Sequence, residues 1–180
     1  MKILRAYVAA VDRFNHVIGR LIMFGVFVLM GVLLWSSISK AFFSPSLWTL
    51  EMAQFVMVGY FILGGPYAMQ MGSNVRMDLI YGSVSPRGKA LTDVLTIGFL
   101  IVYLGVLLWG GIDSTIYSFQ YGGERSSSAW RPYIWPIKVT ICVGITLMLL
   151  QAFSELAKDI LFLRTGTPLR HQDEEQGDAL

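Results

Sequence analysis

Charge is what this sequence has least of. Aspartate, glutamate, lysine and arginine make up 14% of the 180 residues, against about 25% in an ordinary soluble domain. Cysteine occurs once, at Cys142, which excludes an internal disulfide and a cysteine-based metal site. Its place in an apolar run reads as a small packing residue. Histidine occurs twice, at His16 and His171, outside every apolar run. A membrane cytochrome needs imidazoles projecting into a bundle to hold haem, so that class is excluded. There is no phosphate-cradling glycine loop, nucleophile elbow or zinc helix, so no cofactor is expected and the chain is not read as an enzyme. A net charge of +2, without a basic patch interleaved with aromatics, gives no reason to expect nucleic acid.

Apolar residues fill the space that charge leaves. They make up 54% of the chain, and the mean hydropathy is +0.57. Leu21 to Ser39, Met52 to Val75, Val94 to Ile112 and Val139 to Ser154 contain no Asp, Glu, Lys or Arg. About 20 apolar residues in a helix cross the hydrocarbon layer, so the expectation is an all-α integral membrane protein with four transmembrane helices. The spans fall at about 18–39, 51–72, 91–112 and 136–157, within a membrane domain of residues 1–164. Ten Lys and Arg lie on the side of the N-terminus, the 71–93 loop and the C-terminus, and four on the other. By the positive-inside rule both termini are cytoplasmic. Trp35, Trp48, Trp109, Trp130 and Trp135 fall at or near the opposite interface, as an aromatic belt does.

No small-residue cleavage pattern follows the first apolar run, so the N-terminus does not read as a signal peptide. Residues 1–20 read as an amphipathic helix. Ile3, Tyr7, Val11, Phe14 and Ile18 step by three or four, with Lys2, Arg5, Asp12, Arg13, His16 and Arg20 largely elsewhere on the wheel. Such a helix rests on the cytoplasmic leaflet. Residues 165–180, with Gly, Pro and four acids, read as a disordered tail.

The acids nearest the spans are Glu51 and Asp113, both at outer helix ends. Position favours a helix-dipole role for Glu51 over an ion-coupling one. Gln54, one turn deeper, is a candidate interhelical hydrogen-bonding group. Pro66 removes an N–H that would bond to the carbonyl of Ile62, and Gly64 and Gly65 ease the resulting kink. Gly64, Ala68 and Gly72 form a small-residue strip, and Gly98 and Gly105 share a face one heptad apart. Helix-packing surfaces without a polar interior suggest a subunit that packs against another. Arg76 and Asp78 lie in the charged connection after the second span. Arg76 can reach lipid phosphates or helix-end carbonyls, and Asp78 can cap a short helix or pair with an arginine; an ordinary solvated loop is the plainer reading. Ser85-Pro86-Arg87 has the form of a helix start.

These residues resemble a family. Trp48, Glu51, Gly64-Gly65-Pro66-Tyr67-Ala68, Val75-Arg76-Met77-Asp78-Leu79-Ile80-Tyr81 and Ser85-Pro86-Arg87 match it in order. So do Gly123-Glu124, Ser127, Trp135-Pro136-Ile137-Lys138 and Leu150-Gln151. Together they resemble the small membrane subunit, the Q or small-permease component, of tripartite ATP-independent periplasmic (TRAP) transporters, over about residues 15–163. Many members carry His where this chain has Asn74, which favours a structural role there. The resemblance implies a multi-pass protein of the bacterial inner membrane. Its partners would be lipid, a large elevator-type membrane subunit and, through the complex, a periplasmic substrate-binding protein. The large subunit would carry the sodium and substrate sites during uptake of an organic acid or similar solute, and this chain would brace its scaffold. Glu51, Gln54, Gly64, Gly65, Pro66, Ala68, Arg76 and Asp78 would serve the partner interface or the structure. Two alternatives are a stand-alone four-helix transporter acting as a homodimer and a membrane assembly protein outside transport.

Overall fold

The computed structural model describes residues 2–71, 86–121 and 123–165, and these form five α-helices. They are α1 (Lys2–Met23), α2 (Gly25–Phe42), α3 (Thr49–Gln70), α4 (Pro86–Gln120) and α5 (Trp135–Thr165). Among the described residues there is no strand, only an isolated antiparallel bridge between Arg125 and Tyr133. Four stretches are long and apolar enough to cross a membrane: Ala6–Phe42, Thr49–Gln70, Thr92–Gln120 and Trp135–Leu161. The expected all-α membrane fold is therefore observed. Arg76, Asp78, Gly72, Asn74, the Ser85 cap and the tail beyond Thr165 lie outside the described residues.

The first stretch is two helices, not one. Phe24 separates them, donating from N–H to the Leu21 carbonyl at 3.2 Å and accepting from Phe27 N–H at 3.1 Å. These three-residue bonds tighten the backbone, and Gly25 follows directly. The break lets α1 leave the direction of α2. α4 continues past the expected boundary near 112, because DSTIYSFQ (113–120) holds no helix breaker. Beyond it Gly123 adopts φ +81°, a left-handed conformation that suits glycine.

Helix contacts run in the order α2, α3, α5, α4, and α2 and α4 share no packed interface. The long helices thus form an open row rather than a closed bundle. α3 and α5 approach one another closely. Pro66 lies inside α3 and cannot supply an N–H to the Ile62 carbonyl. Gly144 of α5 faces that spot: a Cβ there would collide with the Ile62 side chain and lie 3.2 Å from its carbonyl carbon and oxygen. Absence of a side chain lets the two backbones approach.

α1 lies across this row. Tyr7 donates from its hydroxyl to the Leu150 carbonyl at 3.3 Å, and Ile22 meets Gly64. Leu150 is fifteen residues from the start of α5, and Gly64 fifteen from the start of α3. Both ends of α1 therefore touch the row about 22 Å below its far end, so the helix crosses α5 and α3 rather than running along them. Gly19, where a Cβ would collide with Tyr67, makes the crossing close.

At the opposite end, residues 123–134 form a strap. Ser126 N–H donates to Pro132 O at 2.9 Å and Ile134 N–H to Glu124 O at 3.0 Å. Lys138 pairs with Glu124 at 2.5 Å, and the Arg125 guanidinium lies 4.4 Å from the centre of the Tyr133 ring.

Candidate functional site: a buried polar cluster beneath the crossing helix

Where α1 crosses α5, the interior is polar. Asp12 and Asn15 project from α1, and Gln151, Ser154, Glu155 and Lys158 from α5; all six are buried. The Lys158 ammonium lies 2.6 Å from Asp12 Oδ2 and 3.0 Å from Glu155 Oε1. Ser154 donates to Asp12 Oδ1 at 3.0 Å. Gln151 Nε2 donates to Asp12 Oδ1 at 2.9 Å and to Glu155 Oε1 at 3.1 Å, and Asn15 Nδ2 donates to Gln151 Oε1 at 2.7 Å. Gln70, at the end of α3, donates to the Asp12 carbonyl at 3.2 Å. One aspartate thereby ties three helices.

This overturns the expectation of a subunit without a polar interior. Glu51 and Asp113 are the acids expected nearest the spans, yet Glu155 lies buried in the last helix with Lys158 one turn on. Buried charges are tolerated only when paired and hydrogen-bonded, and here each carboxylate meets the same ammonium. The wheel of α1 is corrected too. Its polar side does not all face water: Asp12, Asn15 and Gly19 pack inward, while Phe14 is 56% exposed. The signal was present in spacing. Asp12, Asn15, Gly19 and Ile22 step by three or four, and Gln151, Ser154, Glu155 and Lys158 make a matching stripe on α5.

The residues expected to serve an interface are scattered. Glu51 sits in the first turn of α3, where its Oε1 accepts from the Ser126 hydroxyl and pins the strap. Gln54 faces outward, as does Ala68. Gly64 faces Ile22 at 3.9 Å, and Gly65 faces Met148 at 3.0 Å, so these two glycines look into the chain itself. Pro66 is fully buried. Cys142 packs by Thr115, 3.5 Å from its hydroxyl. Among the described residues, nothing lies within 4 Å of the side-chain positions of Gly98 or Gly105 on α4. Leu95, Phe99, Val102, Val106 and Trp109 of the same helix are exposed.

No three His, Cys, Asp or Glu converge as a metal centre among the described residues. The cluster has the chemistry of a fastening, with donors, acceptors and a counter-ion but no nucleophile or general base facing an open cleft.

Comparison with known proteins agrees with this architecture. The chain is similar to the isethionate TRAP transporter permease protein DctMQ of Oleidesulfovibrio alaskensis, at 24% identity over 117 residues. That match covers 65% of this chain and 18% of the relative's length. Residues 29–162, well over half the chain, match the family model described as tripartite ATP-independent periplasmic transporters, DctQ component. The chain belongs to the DctQ component family of TRAP transporters, and is a small membrane subunit of that transport system.

Proposed function

We propose that this chain braces the large membrane subunit of a TRAP transporter while that subunit carries an organic acid or similar solute inward on the sodium gradient. A periplasmic binding protein delivers the solute, both termini are cytoplasmic, and the complex resides in the inner membrane. One observation carries the bracing role. The helix row is open, and among the described helices α4 packs chiefly on α5. It thereby presents an apolar face with Gly98 and Gly105 uncovered by any described residue. Small residues on an exposed transmembrane face allow close approach of a partner helix. The buried charges are meanwhile spent on one another at the α1 crossing. The relative's name speaks of isethionate, a small organic anion, and supports the same broad substrate class here.

Uptake by proteoliposomes tests this reading. The binding protein, the large subunit and this chain together should accumulate labelled substrate when a sodium gradient is imposed. Omitting this chain should abolish accumulation, and this chain alone should move nothing. Transport by this chain alone would replace the brace with a carrier.

A further inference from the structure

The polar cluster orients its own amides. Gln151 commits its amide nitrogen to two carboxylates, which turns Gln151 Oε1 toward Asn15. Asn15 must answer with its NH₂, so its own Oδ1 points to the other side. That oxygen is buried and meets no donor among the described residues, and Asn15 is only 2% exposed. Gln70 repeats the pattern. Its Nε2 is committed to the Asp12 carbonyl, and its Oε1 is buried without a donor. Flipping either amide would set oxygen against oxygen: the carboxylates impose the orientation of Asn15 through Gln151, and the Asp12 backbone carbonyl imposes that of Gln70. Asp12 links the two, as the residue one turn before Asn15 and as the acceptor for Gln70.

The charge balance points the same way. Asp12 and Glu155 carry two negative charges against the single positive charge of Lys158. A buried cluster with one excess negative charge and two acceptor-only oxygens lacks a positive species with hard, oxygen-seeking chemistry. The converging acids are too few for a transition metal, whereas neutral amide oxygens beside one net negative charge suit a single positive charge. We propose that Asn15 Oδ1 and Gln70 Oε1 bind a monovalent metal cation, of the sodium or potassium class, at the junction of α1 and α3. The Asp12–Glu155–Lys158 cluster balances its charge, and the ion fastens the crossing helix to the row.

Thermal unfolding of the full chain, purified in detergent, tests the site independently of transport. The midpoint would be followed by circular dichroism in choline chloride and in lithium, sodium and potassium chlorides at equal ionic strength. At least one alkali chloride should raise the midpoint saturably, by roughly 3–6 °C at ten times its Kd. Gln70→Leu, at a partly exposed helix end, should retain the fold and lose that rise, as should Asn15→Leu. Glu155→Gln, which removes the excess charge, should weaken it at least tenfold. Equal midpoints for the wild-type chain in choline and in every alkali salt would assign the two oxygens to water and overturn the proposal. A full cation response in Gln70→Leu would place the ion elsewhere and overturn it equally.

Discussion

Lys158 illustrates how burial changes the worth of a single charge. Its ammonium serves two carboxylates in a nearly water-free contact between helices, with side-chain exposure of 8% for Lys158 and 11% for each partner pair member. Removing one member of such a cluster leaves uncompensated charge, at a cost of about 3–5 kcal/mol. Lys158→Met should therefore lower the unfolding midpoint of the purified chain sharply. Combining it with Asp12→Asn and Glu155→Gln should restore a large part of the loss, because no bare carboxylate then remains. The Lys138–Glu124 pair is the internal control. Glu124 is 48% exposed there, and an exposed ion pair contributes under about 1 kcal/mol. Lys138→Met should shift the midpoint little; a shift as large as that of Lys158→Met would contradict the assignment of the cluster as the fastening.

Among helices, the glycines divide by what they face. Gly144 touches backbone of α3, so no rotamer change can make room for a side chain there. Gly144→Leu should separate α3 from α5 and destabilise the isolated chain by about 1–3 kcal/mol, the usual cost of overpacking, read from its unfolding midpoint. Gly98 and Gly105 face none of the described residues. Gly98→Leu and Gly105→Leu should leave the isolated chain as stable as the wild type and reduce its copurification with the large subunit. Undiminished copurification of both would show that this face of α4 meets lipid. Gly64→Leu addresses the other surface and should act through α1, since Ile22 lies against it.

For the molecule as a whole, orientation is a matter of charge distribution across the bilayer. The proposed orientation rests on the excess of Lys and Arg on the side of the termini, the side that the positive-inside rule assigns to the cytoplasm. In a Cys142→Ser background, a cysteine at Ser73 should be protected from impermeant thiol reagents in intact cells. A cysteine at Ser127, exposed on the strap, should react. The reverse pattern would invert the topology and put α1 on the outer surface.

Four apolar runs, their lengths and the basic bias were legible from residue order alone. Crossing a membrane depends on local length and polarity, which composition along the chain determines. The ordered motifs from Trp48 to Gln151 likewise point to the TRAP small subunit without reference to any contact. The polar interior was not legible in the same way. An amphipathic helix has a wheel but no address, and Asp12 and Asn15 read equally well as solvated residues until a partner is placed against them. The break at Phe24 and the bare backbone at Gly19 turn α1 across the row, and that crossing brings Asp12 to Lys158, 146 positions along the chain. Sequence determined which segments enter the membrane, because that is a property of each segment by itself. Only the tertiary structure decided which charges share one buried site, because pairing depends on the angle at which two distant helices meet.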